Sequence, residues 1–274
     1  MEEQFINLCR EGDLDELKQF LQNHPNIDNV TAFCYACWCG HLEFAKWLLH
    51  VNPDININIS IIEQAFCVAC CNGQLELAQW LLHLKPDINI SAKNEWVFRE
   101  TCIHGHLEVV KWLLSVKPDI NISVNSAWVF HRTCEKGHLE VAKWLLSMNP
   151  DINISYNNDE CVFCEVCERG HLEVAKWLLQ MKPDINISAK NHRAFIWSYY
   201  YKKVEVVKWL QSLKPYLYVI EYDESRKYVT FKIRSKEEAN WEKRKYALHM
   251  TLKEDINILY HLPKDIAKAV TLFI

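Results

Sequence analysis

A chain of 274 residues that is 50% apolar and 12% aromatic carries too much burial potential to remain disordered. Its formal charge of −4 and pI near 6.3 give no global positive field to draw nucleic acid or an acidic membrane surface. The opening MEEQFINLCREGD lacks a basic start leading into an apolar core, and no stretch approaches the roughly 18 apolar residues of a membrane span, so neither nucleic acid nor membrane is expected as a partner.

In chain order, the first pair of elements is organised around Gly12, with Phe5 seven residues before it and Cys9 three before it. The same frame recurs at Gly40, Gly73, Gly105, Gly137, Gly170 and the equivalent Lys202, with Phe33, Phe66, Phe98, Phe130, Phe163 and Phe195 in the Phe slot. Trp47, Trp80, Trp112, Trp144, Trp177 and Trp209 fall 33, 32, 32, 33 and 32 residues apart, and a fixed period of this size marks a repeat architecture. Each unit reads as two helices. Phe and the residues four and three before the glycine form an i, i+3, i+4 stripe on the first helix, which the glycine ends.

The second helix reads GHLEFAKWLL from Gly40 and GHLEVAKWLL from Gly137 and Gly170. Leu42, Phe44, Ala45, Trp47, Leu48 and Leu49 cover an arc of about 220°, with Trp at its margin and Glu43 and Lys46 outside it. Pairs such as Glu108/Lys111 and Glu140/Lys143 therefore belong on the solvent side. In the first unit Glu16 and Gln19 replace the apolar residue and Trp of later copies, as befits an N-terminal cap with a polar outer face. The seventh unit replaces Gly-His by Lys202-Lys203 and Asp-Ile-Asn by Tyr216-Leu217-Tyr218, and the array ends there.

A helix–turn–helix carrying GHLEVVKWLL and followed by Asp87-Ile88-Asn89 or Asp119-Ile120-Asn121 resembles the ankyrin repeat over about residues 1–215. The resemblance implies an all-α solenoid of seven units that binds a protein partner on its concave face. No Gly-rich phosphate loop, nucleophile elbow or paired-carboxylate site stands out from the repeat pattern, so no enzyme and no cofactor are expected, and the lack of a leader pattern or membrane span places the expectation in the cytoplasm. Two features depart from the family pattern. The Thr-Pro-Leu-His turn before the first helix is missing, and the Gly-Ala exit of the second helix is replaced by Asn52-Pro53, Lys85-Pro86, Lys117-Pro118, Asn149-Pro150 and Lys182-Pro183. Proline biases the residue before it toward an extended backbone, so the connecting fingers start differently.

Residues 216–274 read as a small α+β cap. Tyr216–Tyr222 and Lys227–Ile233 form the β-rich arms of a hairpin, and Ser235-Lys236-Glu237-Glu238 has capping-box spacing for a charged helix running to about Met250. Pro263 suits the first turn of a last helix. Leu262, Pro263, Asp265 and Ile266 resemble the opening of an F-box, in a position similar to the truncated F-box-like ends of ankyrin proteins from large DNA viruses. That resemblance implies an alternative role, a substrate adaptor docking on the linker protein of a cullin-type ubiquitin ligase, in the host cytoplasm if the source is viral. Leu-Pro-x-acid-Ile is equally ordinary helix-start chemistry, and a structural end-cap is the plainer reading.

Twelve cysteines and a row of histidines invite catalytic or metal readings, which the frame largely absorbs. Cys9, Cys37, Cys70, Cys102, Cys134 and Cys167 occupy one repeated core slot, and buried thiols are inert. Cys34-x-x-Cys37, Cys67-x-x-Cys70 and Cys161-x-x-Cys164 lie on helices, whose spacing of about 8–10 Å does not bring four sulfurs to one ion, so no metal is expected. His41, His106, His138 and His171 share one slot and read as structural histidines satisfied locally. The residues that vary on this constant frame remain. They are Trp38, Asn72, His104, Glu135, Lys136, Glu168, Arg169, Tyr200 and Tyr201 just before the glycine slot, with Glu95, Trp96 and Trp128 near the fingers. Aromatic residues and arginine are enriched at binding hot spots, so these are the candidate partner contacts, against the alternative of a merely solvated face.

Overall fold

A computed structural model describes residues 2–53, 55, 57–152, 159–215, 217–223, 228–233, 235 and 237–238. The chain divides into two compact parts, Met1–Ala194 and Phe195–Ile274. The first part is a stack of helix pairs: α1 (Glu2–Glu11) with α2 (Leu14–Asn23), α3 (Asn29–Cys39) with α4 (Leu42–Val51), and α5 (Ile59–Cys71) with α6 (Leu75–Leu84). It continues with α7 (Ala92–Ile103) and α8 (Leu107–Val116), α9 (Ser126–Glu135) and α10 (Leu139–Met148), and α11 (Asp159–Arg169) and α12 (Leu172–Met181). First helices pack in sequence, α1 on α3, α3 on α5, α5 on α7, α7 on α9 and α9 on α11. The all-α repeat solenoid read from the period is the observed architecture.

The helix boundaries follow from local chemistry. Asp13 caps α2 through the Asp15 and Glu16 amides, Asp28 caps α3 through Thr31, and Asn58 caps α5 through Ile61, each at 2.9–3.0 Å. Gly105 ends α7 at φ +85°, where His106 N–H donates to Thr101 O (3.2 Å) and Gly105 N–H to Cys102 O (3.0 Å). This paired closure satisfies carbonyls that the helix end would otherwise orphan. Lys202 closes its helix the same way at φ +57°, without glycine's freedom. At the exits, Lys85 is extended (φ −138°) before Pro86, and Ile88 N–H donates back to Lys85 O at 3.3 Å, making a proline-initiated turn. Ile88, Ile120, Ile152 and Ile185 then bury themselves, so the central residue of Asp-Ile-Asn is an anchor for each finger.

The core consists of the expected slots. Phe5, Phe33, Phe66, Phe98, Phe130 and Phe163 are buried, as are Cys9, Cys37, Cys70, Cys102, Cys134 and Cys167. The recurring tryptophans are half-buried and join neighbouring units, Trp80 on Phe33, Trp112 on Phe66, Trp144 on Phe98 and Trp177 on Phe130, with ring centroids 6.0–6.4 Å apart. Tilted pairs of this kind add about 0.5–1.5 kcal/mol each beyond their buried area. The Glu-x-x-Lys pairs lie outside at 2.7–3.2 Å, and such exposed contacts contribute only about 0.2–0.5 kcal/mol.

One expectation needs correction. His41 and His106, each following its glycine, find a partner in the preceding unit rather than within their own. His41 Nε2–H donates to Cys9 O, and His106 is held by the Cys71 carbonyl. Gln74 fills the same slot with its amide turned to donate to Cys37 O at 3.1 Å. Each ring or amide lies against the preceding glycine, so that a Cβ there would meet it at under 3.0 Å in all five junctions from Gly12/His41 to Gly137/His171. The sequence places His beside its own glycine, but the helix turn swings it onto the neighbour.

In the second part, α13 (Ala189–Tyr200) supplies Phe195 and the residues after it, followed by α14 (Val204–Leu213) and an antiparallel pair, β1 (Tyr218–Asp223) and β2 (Tyr228–Ile233), with Tyr218 opposite Ile233. Tyr218 is buried and stacks on Phe195, centroids 4.2 Å apart and 6° from parallel. Phe195 has no following repeat, and Tyr218 takes the aromatic place that the next unit's Trp fills elsewhere. Ser235 and Glu238 form the expected capping box, Ser235 N–H to Glu238 Oε2 at 2.7 Å and Glu238 N–H to Ser235 Oγ at 3.1 Å. The helix expected to run on to Met250 lies outside the described residues, as do Leu262, Pro263, Asp265 and Ile266.

Gly105→Ala should lower the unfolding free energy by about 1–3 kcal/mol, the range for a non-glycine residue held in a disfavoured backbone region. In a double-mutant cycle with His138→Ala, read from urea midpoints, part of that loss should disappear because the clashing imidazole is gone. Strict additivity would show that the glycine serves backbone conformation alone.

Candidate interaction surface

The variable residues decorate the first helices of the stack, but not uniformly. Trp38 ends α3 with 64% of its surface exposed, and its carbonyl accepts from Asn72 Nδ2 at 3.3 Å. His104 is exposed, its Nδ1–H donating to Glu100 O at 2.8 Å. Trp96 is exposed, whereas Trp128 is half-buried with the Arg99 guanidinium 5.9 Å from its ring centroid, in cation–π range. Lys136 is half-buried and Arg169 exposed. In the second part, Tyr200 and Tyr201 form an exposed aromatic cluster with Trp197, centroids 5.3–5.7 Å apart.

Two candidate contacts are buried instead. Glu95 is 8% exposed, and its Oε1 accepts from the Asn121 amide at 3.4 Å, bracing the next finger. Glu135 is 3% exposed because Arg132, one turn earlier on α9, and Arg169, from the following unit, both donate to its carboxylate. The slot two residues before the glycine thus points outward in Trp38 and is buried in Ile103 and Glu135. What its residue is paired with decides the outcome.

Around Glu135 the structure assembles a groove of about 330 Å³ between α9 and α11, lined by Trp128, His131, Arg132, Glu165, Arg169 and Arg193. Arg193 pairs with Glu168 at 3.0 Å, and His131 Nε2 stands 3.5 Å from Glu165 Oε2. Burial holds the His131 pKa below its ordinary value, against the pull of Glu165 and Glu135. His131, Arg132, Glu165 and Arg193 are not among the residues that the pre-glycine pattern singles out. Their signal is helical: His131 and Arg132 lie four and three residues before Glu135, on the same face of α9.

Among the described residues no cysteine belongs to a convergent set of potential metal donors. Cys34 is exposed while Cys37 is buried in the core. Burial, reinforced by neighbouring thiols, pushes Cys9 and Cys71 up to about 12, and burial pushes Cys102 and Cys134 higher still. Among the described residues the one convergence of potential metal donors is His131, Glu135 and Glu165, whose ligand atoms lie within 4.8 Å of one another. An added cation there would compete with Arg132 and Arg169 for Glu135 and be repelled by both.

Two outcomes follow from this geometry. Glu135→Gln should destabilise the protein by about 1–3 kcal/mol in urea unfolding, since it removes a buried charged acceptor of two guanidinium groups. A thiol reagent at neutral pH should modify Cys34 first and reach Cys37, Cys102 and Cys134 only on denaturation; rapid labelling of all of them in the native protein would contradict their burial.

The family description "Ankyrin repeats (3 copies)" matches residues 66–158 and 130–218, and "Ankyrin repeat" matches residues 28–59. Curated proteins yield no match. No helix among the described residues is long and apolar enough to cross a membrane. With the profile spanning more than half of the sequence and helix pairs stacked in the register of its glycines, the chain belongs to the ankyrin-repeat family.

Proposed function

We propose that the protein is a non-catalytic interaction module that holds a protein partner against the exposed face of its first helices. Ankyrin repeats are typically protein-binding modules, and that general role comes with the family. The observation that supports this particular face is the contrast between a constant buried frame and changing exposed residues. Phe, Cys and the helix-ending glycine repeat in register, while Trp38, Asn72, His104, Lys136, Arg169 and Tyr200 differ in size, polarity and charge from unit to unit. Packing places no demand on such variation, whereas recognition of an irregular partner does.

The adaptor role for a cullin-type ligase rests on Leu262, Pro263, Asp265 and Ile266 alone. These residues lie outside the described ones, and partner binding on the face of the first helices does not require them.

Replacing Trp38, Lys136, Arg169 and Tyr200 by alanine together should reduce partner capture at least tenfold, since one hot-spot residue carries about 2 kcal/mol or more. The comparison is a pull-down with the native and quadruple variants, both shown folded by circular dichroism. Undiminished capture by the folded variant would remove this face from consideration.

A further inference from the structure

The groove between α9 and α11 is layered by charge. Its carboxylates lie beneath, the Glu135 side chain 4% exposed, that of Glu168 22% and that of Glu165 23%. Its guanidinium groups lie above, Arg132 at 38% and Arg169 at 54%. Each of these two arginines commits one terminal nitrogen to Glu135, Nη1 from Arg132 and Nη2 from Arg169. A guanidinium has five N–H donors in a flat fork, so most of each fork remains for a further acceptor. The buried carboxylate holds both forks in place before any guest arrives, which lowers the ordering cost of binding.

A third group points the same way. His131 is nine-tenths buried, yet its Nε2 has no hydrogen-bond partner among the described residues and belongs to the donor set that converges on this groove. Arg193, paired with Glu168, adds a third guanidinium to the lining, and Trp128 supplies an aromatic wall. The chain as a whole is acidic at −4, so attraction for an anionic guest has to be local, within the Debye length of about 8–10 Å at moderate salt.

We infer that this groove takes an acidic segment of the protein partner, with an Asp or Glu carboxylate accepting from Arg132 and Arg169 while Glu135 fixes the two guanidinium groups from below. The inference rests on the protein-binding role proposed above and adds the chemistry of the partner at one place on the face. A carboxylate is the flat, two-oxygen acceptor that a guanidinium fork matches. A metal ion is the competing guest for His131, Glu135 and Glu165, and it is disfavoured by the two guanidinium charges already on Glu135.

The test uses the full chain and a fluorescein-labelled peptide rich in Asp and Glu, alongside its Asn/Gln counterpart, with binding read by fluorescence anisotropy at low and moderate salt. The acidic peptide should bind at least tenfold more tightly than the neutral one, weaken as salt rises, and lose roughly tenfold in affinity with Arg169→Ala. Lys46→Ala, on the solvent side of α4 outside the groove, should leave peptide affinity within about twofold. Circular dichroism and urea unfolding confirm that each variant is folded. Equal binding of both peptides, no binding of the acidic one, or an unaltered Arg169→Ala variant would each overturn the inference. Calorimetric zinc binding abolished by His131→Ala would overturn it in favour of a metal site. If a captured partner is sensitive to the quadruple variant but is not displaced by the acidic peptide, the acidic-segment inference fails while the interaction face stands.

Discussion

The contact on which the stack depends is small: a helix-ending glycine of one unit against the imidazole or amide that opens the second helix of the next. Glycine meets two demands there at once. Its φ near +85° lets the paired carbonyl closure form, and its missing side chain leaves the room that His138 or His171 occupies. The ring in turn can reach a carbonyl of the preceding helix end, as His41 does at Cys9 and His106 at Cys71. Local helix termination and long-range stacking are therefore one event, and successive units cannot slip without breaking both.

From that joint the rest of the frame follows. Stacking brings Trp80, Trp112, Trp144 and Trp177 over the Phe of the preceding unit and buries one cysteine per unit, which raises thiol pKa values and removes them from chemistry. Where the repetition stops, the molecule substitutes what is missing. Lys202 adopts the left-handed turn without glycine, and Tyr218 of the hairpin stacks on the Phe195 that lacks a following Trp. The constant positions are thereby committed to structure, and recognition falls to side chains that the frame leaves unconstrained.

Those side chains show how far a pattern carries. Trp38, Asn72, His104 and Arg169 are exposed, in keeping with their place just before the glycine, because that end of the first helix projects from the packed stripe. Glu95, near a finger, and Glu135, just before the glycine, are buried, one bracing a finger backbone and the other compensated by two arginines. A repeat alignment cannot distinguish these cases, since the partner of Glu135 is Arg169, 34 residues away. His131 and Arg132 escaped the pattern for a related reason. They stand one turn before the pre-glycine pair, where Cys34 and Cys67 at the position of His131 give no hint of a charged groove.

By itself the sequence determined what repeats. Period, helix pairing, the buried Phe and Cys slots, the solvent-side Glu-x-x-Lys pairs, the capping box at Ser235 and the start of the hairpin arms are encoded in short-range spacing, because helix and strand periodicities act over a few residues. Only the tertiary structure decided what crosses between units: which carbonyl each histidine meets, which Phe each Trp covers, which acidic residue is sealed beneath arginines and which side chains together line a groove. Those contacts join residues of neighbouring units, and their geometry is set by how one helix pair rotates and rises onto the next, which no spacing within a single unit records.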